Sequence, residues 1–339
     1  MKKLLFIIFL IFCSSIPVFA EGEVASEEFI FPPQLFANAH SPSIAESPDG
    51  ELFAVWYATW NPPGSIIWGS RKPAGAKKWM RPVIIHRDPK YPCKNPVLYL
   101  GDDKKLRLFW ADEKKLLFKI IRDVLRMKVS EDFGRTWDEP RGKKVLSWFL
   151  PRTNPIRLNN GDLLLPVYTD LSTSSAVIIS KDGGLTWKGP NYILFFLGIQ
   201  PTIIQRSDSS LFALMRTGMW PRLSWQAVSN DSGRTWKNTK LSNVNNPGSS
   251  LEMIKLKSGN VVMVFHDTKK KRETLSIALS YDDGKTWAHT KPINSKDTGL
   301  NMYPSIIQDK EGLIHVVYAS NNRTGITHFV TNEKWIEGK

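Results

Sequence analysis

One octapeptide, Ser-x-Asp-x-Gly-x-Thr-Trp, occurs four times in the chain and constrains its fold more than any other feature. The copies begin at Ser130, Ser180, Ser229 and Ser280, so successive starts are 50, 49 and 51 residues apart. A degenerate fifth copy, Ser70 to Trp79, keeps only the two ends. A constant period near fifty residues indicates a repeat architecture rather than a series of unrelated domains.

The chemistry of the octapeptide predicts a tight hairpin turn. Its aspartate can accept backbone N–H bonds within the turn, and its glycine tolerates a positive φ. The tryptophan is expected to fill the gap between neighbouring sheets. The four aspartates are therefore interpreted as structural residues and not as catalytic acids: Asp132, Asp182, Asp231 and Asp282.

A second repeat lies between the octapeptides and consists of two apolar, β-rich runs around a Gly, Asp or Asn turn. It has six copies, which begin at Pro42, Pro96, Pro155, Pro201, Ser250 and Pro304. Together with the hairpin that follows, each copy gives four strands in about fifty residues, which is the blade of a β-propeller. We therefore predict an all-β, six-bladed propeller over residues 37–335, preceded by a segment, 21–36, that pairs with the last blade.

Propeller geometry gathers distant parts of the sequence into two polar rings. The first strand of each blade lines the central channel, so the residues just before these strands should form a ring at one mouth: His40, Asn95, Asn154, Gln200, Ser249 and Tyr303. The ends of the second strands should form another ring: Tyr57, Asp112, Thr169 with Asp170, Arg216, His266 with Asp267, and Ser320. Converging polar side chains in a funnel are typical of a binding site.

The N-terminus predicts export. Lys2 and Lys3 precede an apolar run, residues 4–12, and Val18-Phe19-Ala20 offers a cleavage site, so residues 1–20 are expected to be a signal peptide. The protein should then be periplasmic or secreted, with a lipoprotein anchor at Cys13 as the alternative. Cleavage would leave Cys93 as the single cysteine, which excludes an intramolecular disulfide. No Cys/His cluster has zinc-site spacing, and we predict no metal or cofactor.

The net charge of +14 favours anionic partners such as acidic glycans, lipopolysaccharide, anionic membranes or nucleic acid. Nucleic acid is disfavoured because an exported chain without a recognition motif has little reason to bind it. An equally good explanation is that the positive charge only keeps the protein in solution. No segment after the N-terminus is long and apolar enough to span a bilayer, so we predict no transmembrane segment.

The four octapeptides, which we call Asp boxes, the six repeats and the openings of the blades resemble the sialidase (neuraminidase) family with BNR repeats. The resemblance covers essentially the whole mature chain. The resemblance implies an exo-acting glycosidase whose arginines hold the carboxylate of an acidic sugar. It also implies a Tyr nucleophile assisted by a Glu, and an Asp that acts as acid/base. A neutral phenol avoids the repulsion that a carboxylate nucleophile would meet at a negatively charged sugar.

Three residues match the family's motifs. Arg216, after the fourth inner hairpin, stands at the second arginine, Arg272 stands at the third, and Tyr303 stands at the nucleophile. The two arginines are predicted to bind substrate, together with Asn95 and Asn154 of the first ring; a salt bridge between blades is the alternative for the arginines. For Tyr303, stacking on a ligand or packing in the inner ring are the alternatives to nucleophilic attack.

Three positions depart from the family's pattern. His40 replaces the first arginine, Gln200 replaces the glutamate that assists the tyrosine, and residues 61–65 contain no carboxylate for the acid/base. We expect His40 to act as an acid/base that titrates near neutral pH, or to replace the arginine through hydrogen bonds. Glu252, in the fifth inner strand, is a candidate for the missing carboxylate, with an ion pair between blades as the alternative. Gln200 is retained as a catalytic-site residue.

Three functions follow from these patterns. The first is a sialidase-like glycosidase or related enzyme that acts on an acidic sugar. The second is a non-catalytic carbohydrate-binding propeller that has kept the two arginines for binding an anion and has lost the acid/base residue. The third is a periplasmic scaffold or assembly factor that uses one face of the disc for protein contacts. A fold alone does not decide among them.

Overall fold

The computed structural model describes residues 25–60, 64–116, 120–293 and 299–338. They form six antiparallel sheets, each built from four strand positions, and the prediction of an all-β, six-bladed propeller is confirmed. The predicted signal peptide, Cys13 and residues 61–63 of the loop discussed above lie outside the described residues. In the described part, no helix reaches the length and apolar character needed to cross a membrane. The α-helix α1 (Glu333–Glu337) follows the last strand.

Each blade runs from an inner strand at the channel to an outer strand at the circumference. The inner strands are β2 (Ala39–Glu46), β6 (Cys93–Leu100), β10 (Leu150–Pro151) with β11 (Ile156–Arg157), β15 (Ile199–Gln205), β19 (Glu252–Lys255) and β23 (Met302–Gln308). The second strands are β3 (Leu52–Trp60), β7 (Leu106–Lys115), β12 (Leu163–Thr169), β16 (Leu211–Arg216), β20 (Val261–Phe265) and β24 (Ile314–Ser320).

The remaining two strand positions complete each sheet. The third strands are β4 (Gly64–Lys72), β8 (Ile121–Ser130), β13 (Ser174–Ser180), β17 (Leu223–Ser229), β21 (Ser276–Ser280) and β25 (Gly325–Thr331). The outer strands are β5 (Val83–His86), β9 (Lys143–Ser147), β14 (Lys188–Leu194), β18 (Lys237–Asn245), β22 (His289–Pro292) and β1 (Ala25–Phe29).

The last blade takes its outer strand from the start of the described chain. Strand β1 pairs antiparallel with β25, from Ala25 opposite Thr331 to Phe29 opposite Thr327. Inner strands β2 and β23 also contact each other, which closes the ring between the first and last blades. The blades therefore form a closed ring. Because the ring is closed, the inner strands of all six blades surround one axis, and their side chains meet there.

The alternating strand directions give the disc two distinct faces. The inner strands begin at one face, which we call the mouth face; the turns between second and third strands and the connections between blades also lie there. The octapeptide turns join third to outer strands, for example between β21 and β22, and therefore lie on the opposite face, which we call the box face.

The octapeptide turns have the predicted chemistry. The Asp282 carboxylate accepts hydrogen bonds from the backbone N–H groups of Lys285 and Thr286 at 3.1 and 2.8 Å, and from the hydroxyl groups of Ser280 and Thr286 at 2.8 and 2.7 Å. Gly284 has a φ of +78°. The other three turns repeat this pattern, so the aspartates act within their own turns, as predicted.

The tryptophans of the octapeptides pack between neighbouring blades, as expected. Trp137 lies against a cluster that contains Phe53 of the first blade and Leu106 of the second. Trp187, Trp236 and Trp287 occupy the equivalent positions at the next three blade junctions. The apolar core is therefore a ring of similar clusters, and burial between the sheets holds the blades together.

Candidate functional site

Four inner strands enter the channel through the same backbone distortion. Ser41, Asn95, Gln200 and Tyr303 have φ values of +46°, +49°, +56° and +57°, and each precedes a proline. At each of them the pairing with the second strand slips, as in a β-bulge. Such bulges redirect side chains, and a positive φ is uncommon at a bulky residue such as tyrosine.

Tyr303 lies at the centre of the resulting site. The Arg216 side chain donates from Nη1 to the Tyr303 hydroxyl at 3.2 Å and to Gln200 Oε1 at 3.1 Å. The His40 ring packs on the Tyr303 ring with 4.2 Å between centroids. The structure thus brings together four residues that the sequence analysis placed in the site, from blades one, four and six.

His40 is buried and held by neighbouring hydroxyl groups. Its Nδ1 lies 2.9 Å from the Tyr57 hydroxyl and 3.1 Å from the Ser41 hydroxyl. Burial, followed by the positive charge of nearby arginines, lowers the pKa of His40 to about 3. Those arginines are Arg323, Arg152, Arg216 and Arg272. The imidazole is therefore neutral at physiological pH, which does not fit the expectation of titration near neutrality and fits a role in hydrogen bonding.

The cationic wall of the site comprises Arg216, Arg272 and Arg323. Burial lowers the pKa of Arg272, and the charge of Arg216 lowers it further, so these two guanidinium groups lie close enough to repel each other. Among the described residues, no ion pair joins any of the three arginines to a carboxylate. Arg216 and Arg272 are half-buried and Arg323 is exposed. Guanidinium groups that lack an acidic partner are suited to bind an anion, because no ion pair within the protein neutralises their charge.

A polar plug closes the channel below Tyr303. The Glu252 carboxylate accepts from the backbone N–H groups of Asn154 and Ile306 at 2.7 and 3.3 Å. The fully buried Arg152 donates to the carbonyl oxygen of Pro304 at 2.8 Å, and its guanidinium carbon lies 5.3 Å from the centre of the Tyr303 ring. Burial raises the pKa of Glu252 to about 7, although the charge of Arg152 opposes the shift.

The plug corrects the predicted position of Asn154. Its side chain donates to the Ile306 carbonyl oxygen at 3.3 Å and lines a cavity of about 420 Å³ at the far end of the channel, together with Lys255 and Gln308. The physical reason is that the third inner strand is interrupted between β10 and β11, so its chain crosses the channel there. Asn154 therefore holds the plug rather than the mouth.

Asn95 and Gln200 belong to the floor of the funnel. Both side-chain amides donate to the hydroxyl oxygen of Tyr168, at 2.8 and 3.4 Å. The sequence analysis missed Tyr168 and Arg152. Arg152 was detectable, because it directly precedes the third blade's opening in the sequence Arg-Thr-Asn-Pro; Tyr168 gave no signal apart from its place near the end of a second strand.

A second wall, on blades two and three, carries carboxylates. The Lys94 ammonium group lies 2.5 Å from Glu113 and 3.6 Å from Asp123. Burial raises the pKa of Asp123 to about 6. Burial also raises the pKa of Asp170, which lies within the electrostatic reach of Lys94 and Arg216. Acidic and cationic walls therefore face each other across the funnel.

One group of side chains has the composition of a metal site. The ligand atoms of His86, Cys93 and Asp112 lie within 4.8 Å of one another in the interior. However, the Asp112 carboxylate already accepts from Arg126 and Trp110, and burial raises the pKa of Cys93 to about 12, so its thiol stays protonated. Asp112 was predicted at the mouth; instead it is buried in this polar cluster.

The chain is similar to known proteins in sequence and in fold. Residues 50–316 match the family model described as a BNR repeat-like domain. A curated sialidase of Bacteroides fragilis strain YCH46 is 27% identical over 236 residues, which cover 63% of this chain and 42% of the relative. The chain thus spans about two-fifths of that relative's length.

Solved structures of sialidases share the fold. A Hadza microbial sialidase has a TM-score of 0.73 at 19% identity, covering 89% of this chain and 67% of its own. The leech intramolecular trans-sialidase, complexed with 2,7-anhydro-Neu5Ac, has a TM-score of 0.73 at 12% identity, covering 92% and 71%. Similarity at this level of identity shows a common fold and carries no substrate with it.

Proposed function

The chain belongs to the sialidase-like family of BNR-repeat propellers, and on that premise we propose that its funnel binds an acidic sugar at the end of a glycan and acts on it as a glycosidase. The observation that carries the proposal is the set of three arginines without an acidic partner around Tyr303. Arg216 and Arg272 would hold the sugar carboxylate, and the Tyr303 hydroxyl would lie beside the bound ring.

The roles of the other groups follow from their environments. Gln200 supports Arg216 at 3.1 Å but cannot take a proton from Tyr303, because an amide has no basic oxygen. Asp123 is the carboxyl group suited to donate a proton, since burial raises its pKa to about 6. It belongs to the wall opposite the arginines, where the leaving group of a sugar held by its carboxylate would lie.

The proposal is tested by measuring turnover of fluorogenic glycosides of sialic, glucuronic and galacturonic acids, with a neutral glycoside as reference. Arg216→Ala should lower kcat/KM, or raise Kd for the free acid, by about 10- to 150-fold, the worth of a hydrogen bond to a charged group. Arg234→Ala is the matched control, because Arg234 is an exposed box-face arginine that donates to Asp231 of its own turn. Equal affinity for acidic and neutral sugars would contradict the proposal.

A second function, binding without turnover, is favoured by Gln200 at the position where the resemblance implies a glutamate. It predicts a measurable Kd for an acidic sugar and no hydrolysis of any glycoside. Gln200→Glu separates the two functions, because it places a carboxylate beside Arg216 and near Tyr303. Turnover that rises in this variant favours an active nucleophile that needs a base; binding that stays unchanged, with no turnover in either protein, favours the lectin-like function.

A further inference from the structure

The mouth face exposes large apolar side chains at the tips of its loops. Trp220, Phe196 and Leu171 are 83, 67 and 65% exposed. Leu171 and Trp220 lie in the turns between second and third strands of blades three and four, and Phe196 lies in the connection between those blades. Met219 and Phe195 beside them are also exposed. These tips therefore form an apolar rim next to Arg216.

In the described part of the chain, the rim side chains do not belong to the apolar clusters of the neighbouring blade junctions. Phe195 stacks on Tyr192 with 4.2 Å between ring centroids, and Phe196 lies 6.1 Å from Phe195, so the rings touch one another at the surface. By contrast, Trp225, five residues after Trp220, packs against the core. Clustered exposed aromatic groups mark a surface that contacts something apolar.

Cationic side chains extend the rim around the funnel. On blades four to six, the turns at 217–222, 266–275 and 321–324 contain six basic and two acidic residues. Lys269 and Lys270 are exposed, and Arg222 closely follows Trp220. On blade two, Lys115 and Leu116 stand side by side and are both exposed. Apolar tips and positive charges thus alternate on one face.

The turns of the box face carry no excess of positive charge. Its turns between first and second strands, at 47–51, 101–105, 158–162, 206–210, 256–260 and 309–313, contain eight acidic and five basic residues. Its turns between third and outer strands, at 73–82, 131–142, 181–187, 230–236 and 281–288, contain eight of each. The charge difference is therefore directional: a negatively charged surface would attract the molecule with the funnel facing it.

We propose that the mouth face docks on an anionic lipid membrane and presents the funnel to acidic sugars carried by lipids. Apolar tips on separate loops can each enter a fluid interface at their own depth, whereas a rigid protein partner would need one continuous patch. Aromatic and aliphatic tips flanked by lysines and arginines are the side chains that bind such interfaces. The lipid-linked substrate rests on the proposed function; the docking does not.

The test is co-sedimentation of the chain without its predicted signal peptide, residues 1–20, with vesicles of phosphatidylcholine alone and of an equimolar mixture with phosphatidylglycerol. We expect binding to the anionic vesicles only, weakened by salt. Lys269→Gln with Lys270→Gln should lower the partition coefficient between buffer and anionic vesicles roughly fivefold per lysine. Trp220→Ser with Phe196→Ser should lower it at low and high salt alike. Leu185→Ser, at a position of the box face that is 58% exposed, is the control and should not change vesicle binding.

Soluble acidic sugars are measured with the same variants, so that the two proposals fail separately. Loss of vesicle binding with unchanged sugar binding in the Trp220 and Phe196 variant supports docking by the rim. Absence of vesicle binding by the unaltered protein overturns it, whatever the sugar result. A dimer in solution that the same variant converts to a monomer would also overturn it, because the rim would then be an interface between two copies of this chain.

Discussion

The box face and the mouth face lie at opposite ends of the same strands and use charge in opposite ways. On the box face, the Asp282 carboxylate accepts four hydrogen bonds, all from residues of its own turn. At the mouth, Arg216 interacts with Gln200 of its own blade and Tyr303 of another, and forms no ion pair with the described residues. A carboxylate whose hydrogen bonds all come from its own turn stabilises the fold. Arginines from several blades that have no acidic partner can instead bind a ligand.

Glu252 is the strongest test of this difference between the faces. It lies in the funnel region, but its carboxylate accepts hydrogen bonds from backbone N–H groups, as the aspartates of the box face do. Replacing it with alanine removes the acceptor for two backbone N–H groups and the negative charge that acts on Arg152. We expect Glu252→Ala to lower the free energy of unfolding by about 2–6 kcal/mol, because each buried N–H group left without an acceptor costs about 1–3 kcal/mol. Urea denaturation measures the change.

The control for this experiment is Glu273→Ala, because Glu273 is an exposed carboxylate that pairs with Lys271 at the surface. A surface pair of this kind contributes less than about 1 kcal/mol. If Glu252→Ala kept its stability and lost only turnover, Glu252 would belong to the chemistry of the funnel, and the sequence hypothesis of a catalytic carboxylate would be right.

The sequence predicted the features that repeat. Six blades and the four Asp-box turns follow from a fifty-residue period, because each copy carries the same local hydrogen bonds and the same interblade tryptophan. It also predicted that His40, Gln200, Arg216 and Tyr303 would meet, since propeller geometry alone brings the ends of inner and second strands together.

The sequence could not predict features that occur once. The interruption of the third inner strand moves Asn154 from the mouth to the plug, and it depends on packing across the channel by Arg152 and Glu252. The low pKa of His40 depends on burial and on arginines from other blades. Neither effect leaves a periodic pattern, so neither was visible before the blades were assembled.

Replacing the aspartate of an octapeptide turn should lower the free energy of unfolding, but by less than replacing Glu252. Asp282→Ala removes the acceptor for the N–H groups of Lys285 and Thr286, and we expect a loss of about 1–3 kcal/mol in the free energy of unfolding. Binding of an acidic sugar should not change, since the turn lies on the far face of the disc. Lys285→Ala, which alters an exposed side chain of the same turn, should leave both quantities unchanged. A loss of sugar binding in folded Asp282→Ala would break the comparison between the faces.

The smallest effect is a dependence of stability on acid pH. Burial acts to raise the pKa of Asp282, but hydrogen bonds from Thr286 and Ser280 lower it to about 2, against an ordinary value of 3.8. A carboxylate whose pKa falls on folding stabilises the protein above the unfolded pKa, and this contribution is lost as the pH falls from about 4 towards 2. The effect of one turn is small, because the group is largely open to solvent.

Asp282→Asn isolates this contribution, since asparagine keeps an acceptor oxygen but has no acidic proton. The free energy of unfolding, measured from pH 5 to pH 2, should fall less steeply in this variant than in the unaltered protein. Leu171→Ser at the mouth should leave the slope unchanged, because it exchanges one exposed uncharged side chain for another. Equal slopes for Asp282→Asn and the unaltered protein would mean that the turn is satisfied without its charge. The two faces would then differ in geometry but not in the use of ionised groups.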